Sequence, residues 1–412
     1  MAVEALIRAG PALTAACDDV SEATGADAVD GVQPAYVGRP GSTAETASLL
    51  RAAAEHGLAV VARGAGTKLT WGTPPERVDL VLDLTRMDAV VDHAAGDLVA
   101  VAQAGCPIAT LQESLASAGQ RLAMDETRPG TTLGGGIATN SSGPRRMLNG
   151  TFRDLMIGTT VVRADGVIAK SGGRVVKNVA GYDLGKLMTG SFGTLGVVTE
   201  AVFRLHPLPA ASNVLLAGAR DAATLAEMVR AMVHSDVVPT AVEVDWSPAG
   251  GGIGVLLEGS AEGVAARTAT AGDLLGRAGA AETHVADLPP PSWGRYPEGV
   301  LLKVTCALSA VQTVLTEASR LGVTVCGSAG AGVLYGGLPA QRPPDDVRAA
   351  VTALRAVCVG TGGSLVVLDA PAAIKSTVDI WGPVSALELM RSVKQQFDPQ
   401  RRLSPGRFVG GI

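Results

Sequence analysis

The sequence predicts a two-domain α+β protein, and three observations lead to this expectation. The chain has 412 residues, more than the roughly 250 to 300 at which a single hydrophobic core stops growing. Apolar residues make up 47% of the chain and charged residues 18%, which provides enough apolar surface for folded domains. Helical and strand patterns alternate along both halves, and Pro207 and Pro209 mark a boundary between them.

The first half has the pattern of a mixed α/β body. Residues 41–57 predict a capped helix, because Ser42 can serve as the N-cap, Glu45 follows as in a capping box, and Gly57 ends the pattern. A strand is predicted directly afterwards, in LAVVA. The remaining elements predicted in this half are apolar runs at 78–84 and 97–105 and a helix from Ile108 to Ala118.

In the second half, helical and strand patterns alternate over residues 214–370. This arrangement predicts an α+β domain whose helices pack on one sheet. A last helix is predicted from about Val384 to Gln396, followed by the tail FDPQRRLSPGRF. We find no internal sequence repeat.

Composition excludes several classes of function. The formal net charge of −5 argues against a nucleic-acid partner. The five cysteines are scattered without a C-x-x-C pair, which indicates neither a disulfide framework nor a metal site and favours a reducing cytoplasm. Glu4, Arg8 and the Gly10-Pro11 break do not fit a signal peptide, and no apolar run is long enough for direct membrane insertion. Attachment to the inner membrane face through partners stays open.

Residues 62–72, ARGAGTKLTWG, leave the backbone almost bare behind a predicted strand. Glycine permits close approach, so N–H groups from Gly64 to Lys68 can gather around an anion such as a diphosphate. The segment is not a Rossmann turn, because Leu69 stands where the third glycine belongs, and it lacks the P-loop pattern. Taken alone, it fits a tight turn between strands equally well.

Two further glycine-rich stretches, 129–158 and 171–207, favour a cofactor over simple turns. They combine small residues with short polar side chains, as suits a long cofactor with phosphates and a ribityl chain. A mononucleotide would not need three such loops.

The amino-acid sequence of these segments, and their order along the chain, resemble the FAD-binding domain of the vanillyl-alcohol oxidase, or PCMH-type, flavoprotein family. PGTTLGG, the pair Arg153-Asp154, KNVAGYDL and GTLGVVTE are similar to D-2-hydroxyacid dehydrogenases, and most of all to the FAD-binding small subunit of bacterial glycolate oxidase. The resemblance runs from about Val32 to Pro207 and again from Phe397 to Phe408. It implies a PCMH-type two-subdomain FAD-binding domain at 30–209 and an α+β cap domain at 211–385. A C-terminal helix and tail at 386–412 would return to the FAD domain.

The resemblance implies which residues bind FAD, and these residues form groups along the chain. The diphosphate would lie on Arg63, Gly64, Ala65, Gly66, Thr67 and Gly72. The flavin and ribityl chain would run along Pro129, Gly130, Thr131, Gly134, Gly135, Ala138, Thr139, Asn140, Ser141 and Ser142. The adenosine half would meet Arg153, Asp154, Gly193, Gly196, Val197 and Val198, with Arg407 near the junction of the tail.

Three features refine this expectation. Lys177, Asn178, Tyr182 and Asp183 either touch FAD or brace the loop. Phe192 stands where related dehydrogenases often carry glutamate, as is more typical of the small subunit. Residues 62–72 contain no histidine, so FAD should be bound non-covalently.

The catalytic residues are unknown at this stage. Oxidation of a 2-hydroxy acid needs a base and a cation for the carboxylate. The chain has TGGSLVVLDAP where catalytic subunits of this group carry a histidine-rich metal motif, and its five histidines are isolated, with His206 the one worth mutating. The candidate carboxylate binders are Arg145, Arg146, Arg342 and Arg407.

Two functions therefore stay open. The first is an FAD-dependent oxidoreductase for glycolate or another small 2-hydroxy acid, alone or as a subunit of a complex. The second is a non-catalytic flavin-binding, electron-relay or assembly subunit beside a partner flavoprotein and an iron-sulfur subunit. The missing metal motif favours the second. A reductase of cell-wall precursor synthesis fits less well, because that family lacks a tail like Asp398–Arg407.

Overall fold

The structure is a computed structural model that describes residues 2–174, 183–290 and 292–412. The helices in these ranges are α1 (Ala2–Ala16), α2 (Thr43–Glu55), α3 (Ile108–Ala116), α4 (Leu133–Thr139), α5 (Arg146–Asn149), α6 (Phe152–Leu155), α7 (Leu184–Met188), α8 (Ala222–Val233), α9 (Ala261–Arg277), α10 (Val311–Arg320), α11 (Pro344–Gly360), α12 (Ala372–Lys375) and α13 (Leu387–Phe397). None of the helices described is both long and apolar enough to cross a membrane.

The strands of the same ranges form four sheets. They are β1 (Val20–Glu22), β2 (Tyr36–Gly38), β3 (Val60–Arg63), β4 (Leu80–Asp83), β5 (Val90–Ala94), β6 (Val99–Gln103), β7 (Gln120–Arg121), β8 (Met156–Val162), β9 (Ile168–Gly172), β10 (Val197–Arg204), β11 (His206–Pro207), β12 (Ala211–Ala219), β13 (Ala241–Ser247), β14 (Gly250–Gly259), β15 (Thr283–Ala286), β16 (Val300–Thr305), β17 (Thr324–Ser328), β18 (Val333–Leu338) and β19 (Ser364–Asp369).

The chain divides into two compact units. Unit 1 comprises Met1–Ser141, Thr151–Pro207 and Val384–Ile412, and unit 2 comprises Ser142–Gly150 and Leu208–Pro383. The short segment around α5 thus belongs to unit 2, although sequence reasoning placed it with the first domain.

Unit 1 contains a small parallel layer and an antiparallel sheet. The strand order of the first is β1-β2-β4-β3, with β2, β4 and β3 parallel, and that of the second is β5-β6-β10-β8-β9. Helix α2 begins as predicted, because Ser42 accepts a hydrogen bond from the Glu45 amide at 3.1 Å. Its apolar face buries Leu49 and Leu50 completely in the core of the unit. A parallel pair needs a crossover connection, and the β3-to-β4 connection contains the bare segment 62–72.

Unit 2 is built from two copies of one βαββαβ motif. Strands β12 to β15 form the order β15-β12-β14-β13, and β16 to β19 form the order β19-β16-β18-β17. The halves join through β13 and β17 into one antiparallel sheet of eight strands, on which α8 to α11 pack. Sequence reasoning missed this repeat because the copies share a hydrophobic pattern rather than residue identities.

The C-terminal segment lies beside β3. Leu403 forms a parallel bridge with Val60, and the Val60 amide donates to the Arg402 carbonyl at 2.8 Å. Helix α13 begins at Leu387, three residues later than predicted. A buried ion pair between Lys394 and Asp398, 2.7 Å from Nζ to Oδ2, joins this helix to the tail.

Candidate functional site: a glycine-lined cleft and a polar cavity

The segment 62–72 needs glycine at two positions for different reasons. A Cβ at Gly64 would lie 2.1 Å from Oγ1 of Thr132, closer than any real contact. Gly66 has a φ of +76°, in the left-handed region that residues with side chains seldom adopt. Glycine is therefore required at Gly64 because its neighbours pack closely, and at Gly66 because its φ is positive.

The same turn presents a series of amide donors. Among the described residues, none accepts a hydrogen bond from the backbone N–H groups of Gly64, Ala65, Gly66 or Thr67. Consecutive amides without protein partners form a concave donor surface that suits phosphate oxygens.

Two arginines fix the position of this turn. Arg63 is paired with Asp27 at 3.1 Å and with Asp83 at 2.7 Å, so its charge is used within the protein. Arg407 is buried and donates from Nη2 to the carbonyls of Leu69 at 2.6 Å and Trp71 at 2.7 Å. The C-terminal tail thereby holds the far end of segment 62–72 through Arg407. The sequence alone predicted only that Arg407 lies near the junction of the tail.

A second wall comes from the start of α4. Thr132 caps this helix, accepting from the Gly135 amide, and a Cβ at Gly134 would lie 2.9 Å from Cβ of Ala104. A Cβ at Gly136 would lie 2.4 Å from the ring of Phe152. Gly134 and Gly136 thus let the helix pack closely on its neighbours.

A third wall is the turn before β10. Phe192 donates from its amide to the Ala138 carbonyl at 2.9 Å, and Gly190 donates to Ile137 at the same distance. Phe192 has a φ of +55°, and its ring packs on Phe408 with the centroids 5.5 Å apart. Backbone hydrogen bonds therefore join the second and third glycine clusters directly.

The three walls and the tail surround one cleft of about 100 Å³ in unit 1. Sequence-predicted residues that line it are Arg63, Gly64, Ala65, Gly66, Thr67, Gly134, Gly135, Ala138, Thr139, Gly193, Gly196, Val197, Val198 and Arg407. Sequence reasoning missed several lining residues, of which Lys68 carries a charge and Thr132 and Ser191 carry hydroxyls. Lys68 belongs to the motif, but the sequence alone indicated only its backbone N–H as a donor, not its side chain.

Lys68 is the most unusual charge of the cleft. Its side chain is 7% exposed, and Nζ donates to Oγ1 of Thr131 at 2.9 Å and to Oγ1 of Thr67 at 3.3 Å. Burial, assisted by the nearby Arg128 cation and opposed by Glu126, lowers the pKa of Lys68 to about 7.

Unit 2 contains a larger cavity, of about 520 Å³, on the sheet face opposite the helices. Arg146 extends into it from α5 and donates from Nη2 to the Tyr335 hydroxyl at 3.1 Å and to the Ser142 carbonyl. Ser142 and Ser328 line the cavity with buried hydroxyls, for which the described residues supply no partner. Buried polar groups normally have partners, so these hydroxyls indicate a place for a polar ligand.

Acidic and aromatic groups complete this cavity. Glu243 and Asp245 project from β13, and Trp293 and Tyr296 lie opposite on a loop. Burial, reinforced by the two carboxylates, raises the pKa of the neighbouring Cys326 to about 12, so this thiol stays neutral.

Comparisons with known proteins find FAD domain models and solved structures of the same fold. Residues 34–172 match the FAD binding domain model, and residues 381–408 match the model of the C-terminal domain of FAD linked oxidases. The solved structure of p-cresol methylhydroxylase superimposes with a TM-score of 0.76 over 98% of this chain and 96% of that chain, at 14% identity. The chain thus contains an FAD binding domain and has the fold of the PCMH-type flavoproteins.

The relatives of this flavoprotein are oxidoreductases. An uncharacterized FAD-linked oxidoreductase of Mycobacterium tuberculosis is 27% identical over 92% of this chain and 91% of that protein. Glycolate oxidase subunit GlcD of Bacillus subtilis is 36% identical over 51% of this chain and 45% of GlcD. Glycolate oxidase subunit GlcE of Escherichia coli is 39% identical over 37% of this chain and 44% of GlcE. The chain is thus similar to FAD-linked oxidoreductases, among them subunits of glycolate oxidase.

The cleft of unit 1 fits an FAD diphosphate. The amides at 64–67 have no acceptor among the residues that the structure describes and provide donors, and the buried Lys68 provides positive charge. Glycines whose surroundings leave no room for side chains provide space. The FAD binding domain model covers most of the residues that line this cleft, and the position of FAD in it stays a prediction.

Other predicted FAD contacts do not line this cleft. Thr131 lies behind it, bound to Lys68, and Asp154 caps α6 by accepting from the Thr151 amide at 2.8 Å. Ser142 lines the cavity of unit 2. The remaining predicted residues outside the cleft lining are Gly72, Pro129, Gly130, Asn140, Ser141 and Arg153.

The structure also places the residues left open by sequence reasoning. Asp183 caps α7, with Oδ1 accepting from the Lys186 amide at 3.3 Å, while Lys177, Asn178 and Tyr182 lie outside the described residues. His206 lies in β11 and lines neither site. Burial, reinforced by two neighbouring arginines, lowers the pKa of His206.

Proposed function

We propose that this flavoprotein oxidises 2-hydroxy acids and that Arg146 binds the substrate carboxylate in the cavity of unit 2. The observation that carries the proposal is the half-buried guanidinium of Arg146, which lines a cavity that also contains buried hydroxyls without a partner in the described part of the chain. Arginine binds carboxylates through paired charge-assisted hydrogen bonds. Within the described part of the chain Arg146 forms no ion pair, so its charge is available to an acid.

The other three candidate arginines are used in different ways. Arg145 forms an ion pair with Glu258 at 2.8 Å. Arg342 donates to the Leu321 carbonyl at 2.8 Å and does not line the cavity. Arg407 holds the turn of unit 1. The four arginines could not be ranked from the sequence, but their partners in the structure favour Arg146 as the carboxylate-binding residue.

The cavity favours acids larger than glycolate. A volume of about 520 Å³ falls within the range of sites that bind drug-sized ligands, and a two-carbon acid would occupy a small part of it. Trp293, Tyr296 and Tyr335 provide an aromatic lining for a side chain. The hydroxyls of Ser142 and Ser328 are suited to orient the substrate hydroxyl.

FAD, when bound, supplies the electron acceptor for such an oxidation. The protein's part is to hold the acid through Arg146 and to exclude bulk water from it. A partner flavoprotein or iron-sulfur subunit would then accept the electrons.

A substrate panel tests this proposal. We would measure kcat/KM with an artificial dye as acceptor for glycolate, D-lactate, D-2-hydroxyglutarate and D-phenyllactate. We expect higher values for the larger acids, and a KM raised about 10- to 100-fold in Arg146→Met, because a charge-assisted hydrogen bond contributes roughly 1.5 to 3 kcal/mol.

The matched control is Arg348→Met, which removes an exposed arginine of α11 that pairs with Asp345 and lies outside the cavity. Its kinetics should equal those of the wild type. Equal KM values for Arg146→Met and the wild type would contradict the assignment. Activity with none of the acids would favour the non-catalytic electron-relay function.

A further inference from the structure

We propose that Lys68 is a cofactor-binding residue that takes up a proton when the diphosphate of FAD occupies the turn at 64–67. This inference rests on the proposed position of the diphosphate on that turn. The family resemblance assigned no role to the Lys68 side chain. The proposal gives it one and predicts that the affinity for FAD depends on pH.

The first argument is the unusual surroundings of the Lys68 amine. Its Nζ lies among two threonine hydroxyls and 5.9 Å from the centroid of the Trp71 ring. Within the described ranges no carboxylate forms an ion pair with it. Buried lysines are normally paired, because an isolated buried charge is costly.

The second argument is a donor without an acceptor. An ammonium group has three N–H donors, and two are directed to Thr131 and Thr67. Thr131 cannot donate in return, because its own hydroxyl donates to the Arg128 carbonyl at 2.7 Å. The third Lys68 donor has no acceptor among the described residues, and Lys68 lines the cleft beside the unpartnered amides.

The third argument concerns the other charges that face Lys68. Arg128 and Glu126 oppose each other in their effect on it, and Glu126 already accepts from the Thr131 amide at 3.0 Å. Burial is the main cause that lowers the pKa of Lys68 to about 7, and the opposed effects of Arg128 and Glu126 are smaller, so both forms of the amine are present at neutral pH.

The two arginines of the cleft do not replace Lys68 as a titrating cation. Arg63 is neutralised by Asp27 and Asp83. Burial, partly offset by Asp30, lowers the pKa of Arg407 to about 10, so this group stays protonated across the neutral range. Lys68 is therefore the cation of the cleft whose charge changes between pH 6 and 8.5.

An anion beside Lys68 favours the ammonium form, so the protonated protein binds FAD more tightly. Tight binding is present below pH 7 and is lost as the pH rises above it. With a pKa of about 7, the dissociation constant of FAD should increase severalfold between pH 6 and pH 8.5, with a limit of about 30-fold if only the ammonium form binds.

The test is the dissociation constant of FAD for the full chain, measured by flavin fluorescence from pH 6 to 8.5. We expect Lys68→Met to bind more weakly with a dissociation constant that varies less than threefold, and Lys68→Arg to bind tightly across the range. Lys170→Met, which removes an exposed lysine of β9, should keep the wild-type dependence.

A wild-type pH dependence in Lys68→Met or Lys68→Arg would overturn the proposal. If Lys68→Met binds no measurable FAD, the result for Lys68→Arg decides. Two fragments of the cofactor then separate its ends, because ADP-ribose contains the diphosphate and riboflavin does not. The dissociation constant of ADP-ribose should depend on pH as that of FAD does. A pH dependence seen with riboflavin and not with ADP-ribose would overturn the diphosphate assignment. No substrate is used, so failure of acid oxidation would not affect this result.

Discussion

Nη2 of Arg407 lies 2.7 Å from the carbonyl oxygen of Trp71, a residue 336 positions earlier in the chain. The C-terminal tail thus fixes the turn that we assign to the FAD diphosphate. Because Arg407 is 4% exposed, its guanidinium is protected from competing water.

Removing this contact should weaken cofactor binding. We expect Arg407→Met to raise the dissociation constant of FAD about 10- to 100-fold, since two hydrogen bonds from a charged donor are lost. Arg407→Lys should fall between the variant and the wild type. Unchanged FAD affinity in a folded Arg407→Met protein, judged by circular dichroism, would show that the tail does not position the turn.

Gly64→Ala tests the close approach in the same turn. The new Cβ would lie 2.1 Å from Oγ1 of Thr132, so the turn or α4 must move. We expect at least a tenfold loss of FAD affinity in isothermal titration calorimetry. Gly272→Ala, a helical position with nothing within 4 Å of the added Cβ, is the matched control and should bind FAD normally. Equal affinities of both variants would rule out a tightly packed turn.

The buried pair of Lys394 and Asp398 should matter more for stability than any surface pair. Nζ of Lys394 also donates to the Thr194 carbonyl at 2.7 Å, and Asp398 is fully buried. Asp398→Asn leaves the lysine charge without its partner, and we expect a loss of about 3 to 5 kcal/mol in the free energy of unfolding. Glu388→Gln, in an exposed pair with Arg391, should cost less than about 1 kcal/mol. Similar denaturant midpoints for the two variants would contradict this expectation.

Lys68 should also couple folding to pH. Its pKa is about 7 in the folded protein and near 10.5 when unfolded, so the unfolded state binds the extra proton between these values. Its contribution to stability is therefore present above pH 10.5 and is lost as the pH falls towards 7. In flavin-free protein, the unfolding free energy of the wild type relative to Lys68→Met should rise by about 1 to 3 kcal/mol from pH 7 to 9.5. A constant difference would mean that Lys68 is not buried as described.

Local sequence features predicted the positions of the glycine-rich turns well, while their contact with FAD stays a prediction. Gly64, Gly66 and the clusters near Gly134 and Gly193 carry their signal in residue type, because glycine is required where backbone approaches backbone or where φ is positive. The predicted cap on α2 was likewise local, and the structure contains it.

Long-range contacts could not be predicted in this way. The functions of Lys68 and Arg146 depend on partners distant in sequence, Thr131 for one and Tyr335 for the other. The repeated βαββαβ motif of unit 2 was hidden for a related reason, since it is defined by strand order rather than by residue identity.

The most direct test of the proposed function is the visible spectrum of the purified, FAD-loaded chain, recorded without oxygen, acceptor or partner. Addition of one equivalent of a 2-hydroxy acid such as D-lactate or D-phenyllactate should bleach the flavin band, with Arg146→Met needing more acid. A flavin band that no acid bleaches would contradict the proposal, and the chain would then carry FAD for a partner's chemistry.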